Sequence, residues 1–190
     1  MRPYSSKRVA DAALAALLLA LTMPALILIW LLVVATSQGP GLYWSRRVGL
    51  HGKIFLMPKF RTMDAAAPEA PREALSVAQC QITPLGALLR RMSLDELPQL
   101  WTILRGDMSF IGPRPLMPDD PAALARRHFP DAFSVRPGLS GLAQISGRNH
   151  VTPRRKARLD ALYARRASPG LDAQIFFRTA LIVVTGQGFI

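Results

Sequence analysis

The sequence predicts a mainly α-helical protein with a small β-hairpin: a membrane-embedded N-terminal helix and interfacial amphipathic helices set around a compact domain. Three observations predict this. Residues 12–35 read AALAALLLALTMPALILIWLLVVA, apolar apart from Thr22. At about 1.5 Å per residue such a run is long enough for a hydrocarbon core of ~30 Å. Two short strand-like runs, LYWSRRV and KIFLMPKF, flank VGLHGK, a hairpin pattern closed by Gly49 and Gly52. Several later segments begin with a capping residue and a proline, as helices do.

Taken in order, the apolar run comes first. Arg2, Lys7 and Arg8 precede it like the basic region of a signal peptide, but the run is too long for one and no small-residue cleavage site ends it. Pro24 stands at its middle, where it removes a backbone donor and crowds the preceding turn. Arg46, Arg47 and Lys53 follow, so both flanks are basic and neither is marked as the cytoplasmic end. A spanning helix and a re-entrant helix broken at Pro24 both remain open on the residues alone. The boundary falls near residue 36, dividing a membrane segment, 1–36, from a domain, 37–190.

After the hairpin, DAAAPEAPREALSVAQ (64–79) reads as a loop or short surface helix. PQLWTILRG predicts a short helix with Pro98 in its first turn, Leu100, Trp101 and Leu104 on one face, and Gly106 as terminator. DDPAALARRHF and TPRRKARLDALYARR start with Asp120–Pro121 and Thr152–Pro153. In the second, Leu159, Leu162 and Tyr163 form a narrow apolar stripe among basic residues, the pattern of a helix lying on an anionic membrane; a solvated basic face is the alternative. DAQIFFRTALIVVTG is too short and interrupted to span and is expected to pack on the domain or at the interface. No internal repeat is visible.

The chain has 190 residues, room for one domain, with 24 Lys plus Arg against 12 Asp plus Glu. The resulting charge of +12 points to an anionic partner. A single cysteine, Cys80, excludes an internal disulfide. His51, His128 and His150 are too scattered for a zinc site, and neither GxGxxG nor GxxxxGK[ST] occurs.

Against this basic background, MSLDELPQL places Asp95 and Glu96 side by side. Ser93 and Glu96 have capping-box spacing, but a helix capped by Ser93 would put Pro98 inside its ladder. A helix starting nearer Pro98 leaves both carboxylates before its first turn, where free N–H groups, the dipole, Arg90 and Arg91 favour their anions. An ionised aspartate beside cations suits attack on phosphorus, and its neighbour could hold a divalent metal; a structural cap is the competing reading. Other segments also suit phosphate. GPRP stiffens the presentation of Arg114, PKFRTM supplies Lys59 and Arg61, and RPGLSGLAQISGRN supplies Arg136, Arg148 and Asn149. Gly138, Gly141 and Gly147 would let backbone approach a ligand closely.

KFRTM, LRRMSLDELPQLWTILRGDMSFIGPRP, VRPGLSGLAQISGRN and LDALY, in that order, make the chain resemble the bacterial sugar transferases of the monotopic polyprenyl-phosphate phosphoglycosyl transferase family. The resemblance runs from about Lys7 to the C-terminus. It implies transfer of a phosphosugar from a UDP-sugar to polyprenyl phosphate, with release of UMP, at the cytoplasmic face of the bacterial inner membrane. It also implies Mg2+, a catalytic Asp95–Glu96 pair with Asp95 as covalent nucleophile and Glu96 as metal ligand, and cations Lys59, Arg90 and Arg114 near the diphosphate. The apolar segment becomes re-entrant, broken at Pro24. Partners implied are UDP-sugar, polyprenyl phosphate and membrane lipid; nucleic acid is not expected, and a homodimer is left open.

Three departures stand out. Met23 replaces the serine often found before the proline, PGLSG stands for PGITG, and Gln81 replaces a basic residue before ITPLG. By this resemblance the chain is expected to be a minimal catalytic form, without the additional N-terminal transmembrane domain of larger relatives. The competing class is a membrane-tethered nucleic-acid-binding or scaffold protein without catalysis, which would have no use for Asp95 and Glu96.

Overall fold

The computed structural model describes residues 4, 6–37, 39–64, 82–147 and 151–185. Most of the Ala- and Pro-rich stretch at 64–79, together with Cys80, Gln81, Arg148, Asn149 and His150, lies outside the described residues.

The apolar run forms helix α1, Lys7–Thr36, 30 residues long. The expected break at Pro24 does not interrupt it: helical structure continues on both sides of the proline. The Thr22 hydroxyl donates to the Leu18 carbonyl at 2.7 Å, the backward bond that bends a helix without ending it. Thr22 therefore supplies, one residue earlier, the hydroxyl that Met23 lacks.

Lys7, Asp11, Ala15, Ile29 and Val33 are buried along α1. Leu14, Leu17, Leu21, Ile27, Leu28 and Leu31 are exposed. A helix this apolar and this uncovered is long enough to cross a membrane. Both of its ends, however, grip the rest of the chain. Lys7 pairs with Asp172 at the beginning, and Ile29 and Val33 pack with Phe60 and Leu89 near the end.

The hairpin forms as expected. β1 (Leu42–Val48) pairs antiparallel with β2 (Ile54–Phe60), from Leu42 opposite Phe60 to Val48 opposite Ile54. Its reversal uses positive φ at His51 (54°) and Gly52 (73°), whereas Gly49 has an ordinary φ of −111°. What Gly49 provides is room, since a Cβ there would come within 2.9 Å of the Phe55 ring. The two-residue period sets Ser45, Arg47, Met57 and Lys59 on one face. Trp44, Ile54 and Leu56 lie exposed on the other.

Helix α2 (Pro84–Arg91) is capped by the Thr83 hydroxyl, which accepts from the Gly86 N–H at 3.0 Å. It rests so closely on Thr62 that a Cβ on Gly86 would meet the Thr62 carbonyl at 2.2 Å. Helix α3 (Gln99–Arg105) ends at Gly106 with φ 99°. Its buried residues are Gln99, Leu100, Thr102 and Ile103; Trp101, expected to share a face with Leu100 and Leu104, is 49% exposed. Leu100 and Leu104 of the expected face do pack on the core, but Ile103 rather than Trp101 completes the stripe, in a cluster with Ala15, Met57 and Met108.

A second, parallel pairing joins β3 (Ser109–Ile111) to β4 (Gly138–Ser140). Here glycines serve backbone-to-backbone contact rather than a ligand: a Cβ on Gly138 or Gly141 would lie 2.1 Å from Gly112 backbone atoms. GPRP and PGLSG are therefore two halves of one close crossing.

Helices α4 (Pro121–Ala125) and α6 (Pro153–Arg166) start as expected, with Asp120 and Thr152 accepting from the Ala122 and Arg155 N–H groups. Between them lies α5, Leu142–Ile145. The stripe on α6 does not face outward as a membrane-binding surface would. Tyr163 is 1% exposed in a core with Ile111, Val135 and Ile175, and only Leu162 of the three is exposed. The helix spends its apolar face on the domain because Ala157, Ala161 and Ala164 allow close approach. Helix α7 (Pro169–Thr185) buries Asp172 and Ile175 and leaves Phe176, Phe177, Leu181 and Val183 exposed.

Asp172 collects three partners. Its Oδ2 accepts from Lys7 Nζ and from the Tyr4 hydroxyl at 2.9 Å, and its Oδ1 lies 2.7 Å from the Tyr163 hydroxyl. That hydroxyl is also 3.0 Å from the Ile111 carbonyl, the residue before Gly112-Pro113-Arg114. One carboxylate thus joins the start of α1, the last helix and the end of β3.

Candidate active site

Ser93 adopts φ 55° and makes no capping bond, so the capping box is absent. Asp95 and Glu96 sit instead in a single 3-10 turn, Leu94–Glu96, directly before α3, whose N-cap is Pro98. The proline's fixed φ explains the placement: it starts the regular helix and leaves the carboxylates upstream.

The two carboxylates differ in their surroundings. Asp95 is 8% exposed. Burial pushes its pKa above the ordinary carboxylate value, Lys59 and Arg90 oppose that, and neighbouring Glu96 adds to it. This reverses the expectation from the sequence, in which helix N–H groups and arginines favour the anion; loss of hydration outweighs them. Glu96 goes the other way. Burial alone would raise it, but the charge of Lys59, its hydrogen bond, and the charge of Arg114 hold it below the ordinary value. Lys59 Nζ donates to Glu96 Oε1 at 2.6 Å.

Three of the expected cations converge here. Lys59 arrives from β2. Arg90 is held by α2, its Nε donating to the Thr62 hydroxyl at 2.8 Å, within electrostatic reach of Asp95. Arg114 is exposed on the loop after β3 and acts on Glu96. The loop is pinned from below: Arg126 Nη2 donates to the Arg114 carbonyl at 2.8 Å, and the Arg126 guanidinium makes two bonds to Asp160 Oδ2, at 2.9 and 2.7 Å. Arg126 and Asp160 side chains are both 2% exposed. Asp160→Ala is therefore expected to cost about 3–5 kcal/mol of folding stability, because it leaves a buried guanidinium unpaired. Denaturant unfolding of the purified variant measures it, and a loss under 1 kcal/mol would refute the assignment.

The other expected cations are elsewhere. Arg136 Nε donates to the Gly106 carbonyl at 2.6 Å; with Arg8, which donates to the Ile103 and Leu104 carbonyls, it caps α3. Its charge answers the orphan carbonyls of a helix end. Arg61 donates to the Pro40 carbonyl at 2.8 Å and lines a separate open cavity with Trp30, Val34, Tyr43 and Trp44. Arg148 lies outside the described residues.

Two residues that sequence reasoning missed do border the site. Arg47 and Gln99 join Met57, Lys59, Glu96 and Arg114 around a cavity of about 30 Å³. Arg47 could have been found from its place on the Lys59 face of the hairpin; nothing local distinguishes Gln99. Among the described residues no three His, Cys, Asp or Glu side chains gather as a metal site. The adjacent carboxylates Asp95 and Glu96 fit the mode in which Mg2+ is held by one or two carboxylates and substrate phosphates.

The buried Asp95, the Lys59–Glu96 pair and the neighbouring Arg90 sit on β2, the 3-10 turn and α2, which pack against the apolar helix or its neighbour α3. The chain belongs to the bacterial sugar transferase family, which it matches over residues 3–186. It is 38% identical over 191 residues to the UDP-glucose:undecaprenyl-phosphate glucose-1-phosphate transferase of Caulobacter vibrioides, covering 94% of this chain and 70% of that protein. It is 36% identical over 203 residues to the exopolysaccharide production protein ExoY of Rhizobium meliloti, covering 96% and 87%. The undecaprenyl-phosphate galactose phosphotransferase of Salmonella typhimurium is 34% identical over 200 residues; the match covers 96% of this chain but only 41% of that protein.

Proposed function

We propose that this protein moves a sugar 1-phosphate from a UDP-sugar to polyprenyl phosphate, with UMP as the other product, on the cytoplasmic side of a bacterial inner membrane. The observation that carries the reading is the buried Asp95 beside the Lys59–Glu96 pair, with Arg90 within electrostatic reach of Asp95 and Arg114 of Glu96. Two of the relatives, those of Caulobacter vibrioides and Salmonella typhimurium, are undecaprenyl-phosphate transferases by name, which supports the acceptor class.

In this reading Asp95, ionised, attacks the phosphorus that carries the sugar. The bond from that phosphorus to the bridging oxygen breaks, and UMP leaves with the electron pair. The phosphate of the lipid acceptor then attacks the aspartyl phosphosugar, a new diphosphate forms, and Asp95 is released as carboxylate. Phosphoryl transfer depends chiefly on positioned positive charge, which Lys59, Arg90 and Arg114 provide. Mg2+, held by Glu96 with Asp95, would neutralise diphosphate charge. Glu96, kept ionised by Lys59, is suited to that ligation.

The acceptor is a lipid, and α1 suits its delivery. With Lys7 and Val33 both packed on one globular body, no stretch of the helix is left to carry its far end across a bilayer, which supports the re-entrant topology.

Release of UMP from a panel of UDP-sugars, with undecaprenyl phosphate as acceptor, tests the function; absence of UMP with every donor would overturn it. Arg114→Lys is expected to lower kcat/KM by about 10- to 100-fold, since a point charge replaces a planar fork. Kinetics within twofold of the native protein would make Arg114 a general electrostatic contributor only.

Topology has its own test. Cysteines at positions 6 and 37, in a Cys80→Ser background, are expected to resist an impermeant thiol reagent in intact cells and to react after permeabilisation. Labelling of either end from outside would establish a spanning helix. Pro24→Leu is expected to shift the helix towards spanning and to reduce activity; a re-entrant, active variant would show that the tethered ends alone set the topology.

A further inference from the structure

Gln99, the first residue of α3, is 2% exposed, yet its Nε2 donor has no hydrogen-bond partner. Glu96 is close enough for the amide to help keep it ionised, but no bond of normal geometry joins them. A buried amide donor left unpaired destabilises the native state, and native proteins rarely keep one without a reason. Gln99 lines the small cavity whose other polar walls are Arg47, Lys59, Glu96 and Arg114.

That cavity holds three cations against one carboxylate. Lys59 is already engaged by Glu96. Arg47 is tethered through Nε to the Ser45 hydroxyl at 3.0 Å and through Nη1 to the Pro115 carbonyl at 3.3 Å. Burial, and then the neighbouring charge of Arg114, depress its pKa, so two guanidinium groups are held close enough to repel. An anion between them would relieve that repulsion. The volume, about 30 Å³, is far too small for a sugar or a base and is suited to one or two oxygen atoms.

We propose that this cavity is an oxyanion site: it receives a non-bridging oxygen of the phosphoryl group being transferred, with Gln99 Nε2 as hydrogen-bond donor and Arg47 as the facing charge. The inference rests on the transferase reading above and adds two substrate-contacting residues to it. A preorganised donor aimed at an oxygen that gains charge in the transition state lowers the barrier more than it tightens substrate binding. Gln99 would therefore act on kcat more than on KM. The cost of leaving its amide unpaired in the free protein is recovered only when phosphate is bound.

The test uses the full chain in detergent, with Mg2+ and inorganic pyrophosphate as the binding probe, beside steady-state kinetics. Gln99→Met keeps the length and removes the donor. It is expected to melt at or above the native temperature, to bind pyrophosphate about tenfold more weakly, and to lose about 100-fold in kcat with KM changed by less than about threefold. A lower melting temperature with unaltered pyrophosphate binding would make Gln99 a structural amide and overturn the proposal, as would unaltered kcat. Arg47→Lys gives an independent reading: it is expected to weaken pyrophosphate about tenfold, and native affinity would remove Arg47 from the site. Binding that depends on Gln99 in a native protein that releases no UMP would uphold the oxyanion site and overturn the transferase reading. UMP release undiminished in Gln99→Met would do the reverse.

Discussion

Asp95→Asn is expected to abolish transfer, by more than about 10³-fold, and to raise the melting temperature at neutral pH. The first effect follows from chemistry, since a neutral amide cannot attack phosphorus. The second follows from the site. Burial raises the Asp95 pKa above its ordinary value, so the native state prefers the protonated form. The stability this contributes is complete below the unfolded pKa and is lost as pH rises through the raised one. At neutral pH the ionised carboxylate is a cost to the fold, and the amide removes it. In the metal-free protein Asp95 should therefore take up its proton at a pH above that of an ordinary aspartate. Calorimetry of the variant and a carboxyl titration of the metal-free native protein check both statements. A melting temperature below native, or retention of more than a few per cent of activity, would contradict the assignment.

Glu96→Gln is expected to lower activity by about 100-fold or more and to move the Mg2+ dependence to higher concentration. Its effect on stability should have the opposite sign to that of its neighbour. Glu96 has a lowered pKa, so its contribution is present above the unfolded value and is lost as pH falls through the folded one. The amide loses the charge-assisted bond from Lys59 and should melt below the native protein at neutral pH. Two adjacent carboxyl-to-amide changes would thus move the melting temperature in opposite directions. An unchanged metal titration would remove Glu96 from the proposed metal site.

The elements governed by local rules were legible in the sequence. The caps at Asp120 and Thr152, the stop at Gly106 and the hairpin all follow from residue chemistry within a few positions. Pro98 argued from spacing against Ser93 as the cap of a helix containing Glu96, and the structure removes the cap that the sequence had left open. Long-range packing was not legible. Tyr163 looked like part of a membrane-facing stripe because periodicity shows that a face is apolar but not what covers it. Arg136 looked like a phosphate ligand because a cation beside glycines suits an anion as well as a helix end. The glycines of PGLSG serve a crossing whose other half, Gly112, lies 26 residues before Gly138. Gln99 stayed hidden because its significance is an unmet donor in a cavity assembled from four separate segments. The raised Asp95 pKa was missed for the same reason: the charges are in the sequence, but the desolvation is not.

Asp172 binds Lys7 of α1 and, through Tyr163, the carbonyl of Ile111 just before the Arg114 loop. Under the re-entrant topology, the apolar helix and the phosphate-handling loop are therefore clamped to a common pivot. Leaflet thickness and the attitude of Arg114 then cease to be independent variables. Under the proposed function, a bilayer that tilted α1 to match its hydrophobic length would exert torque on Tyr163 and the end of β3, and the lipid would be a mechanical input as well as the medium that delivers the acceptor.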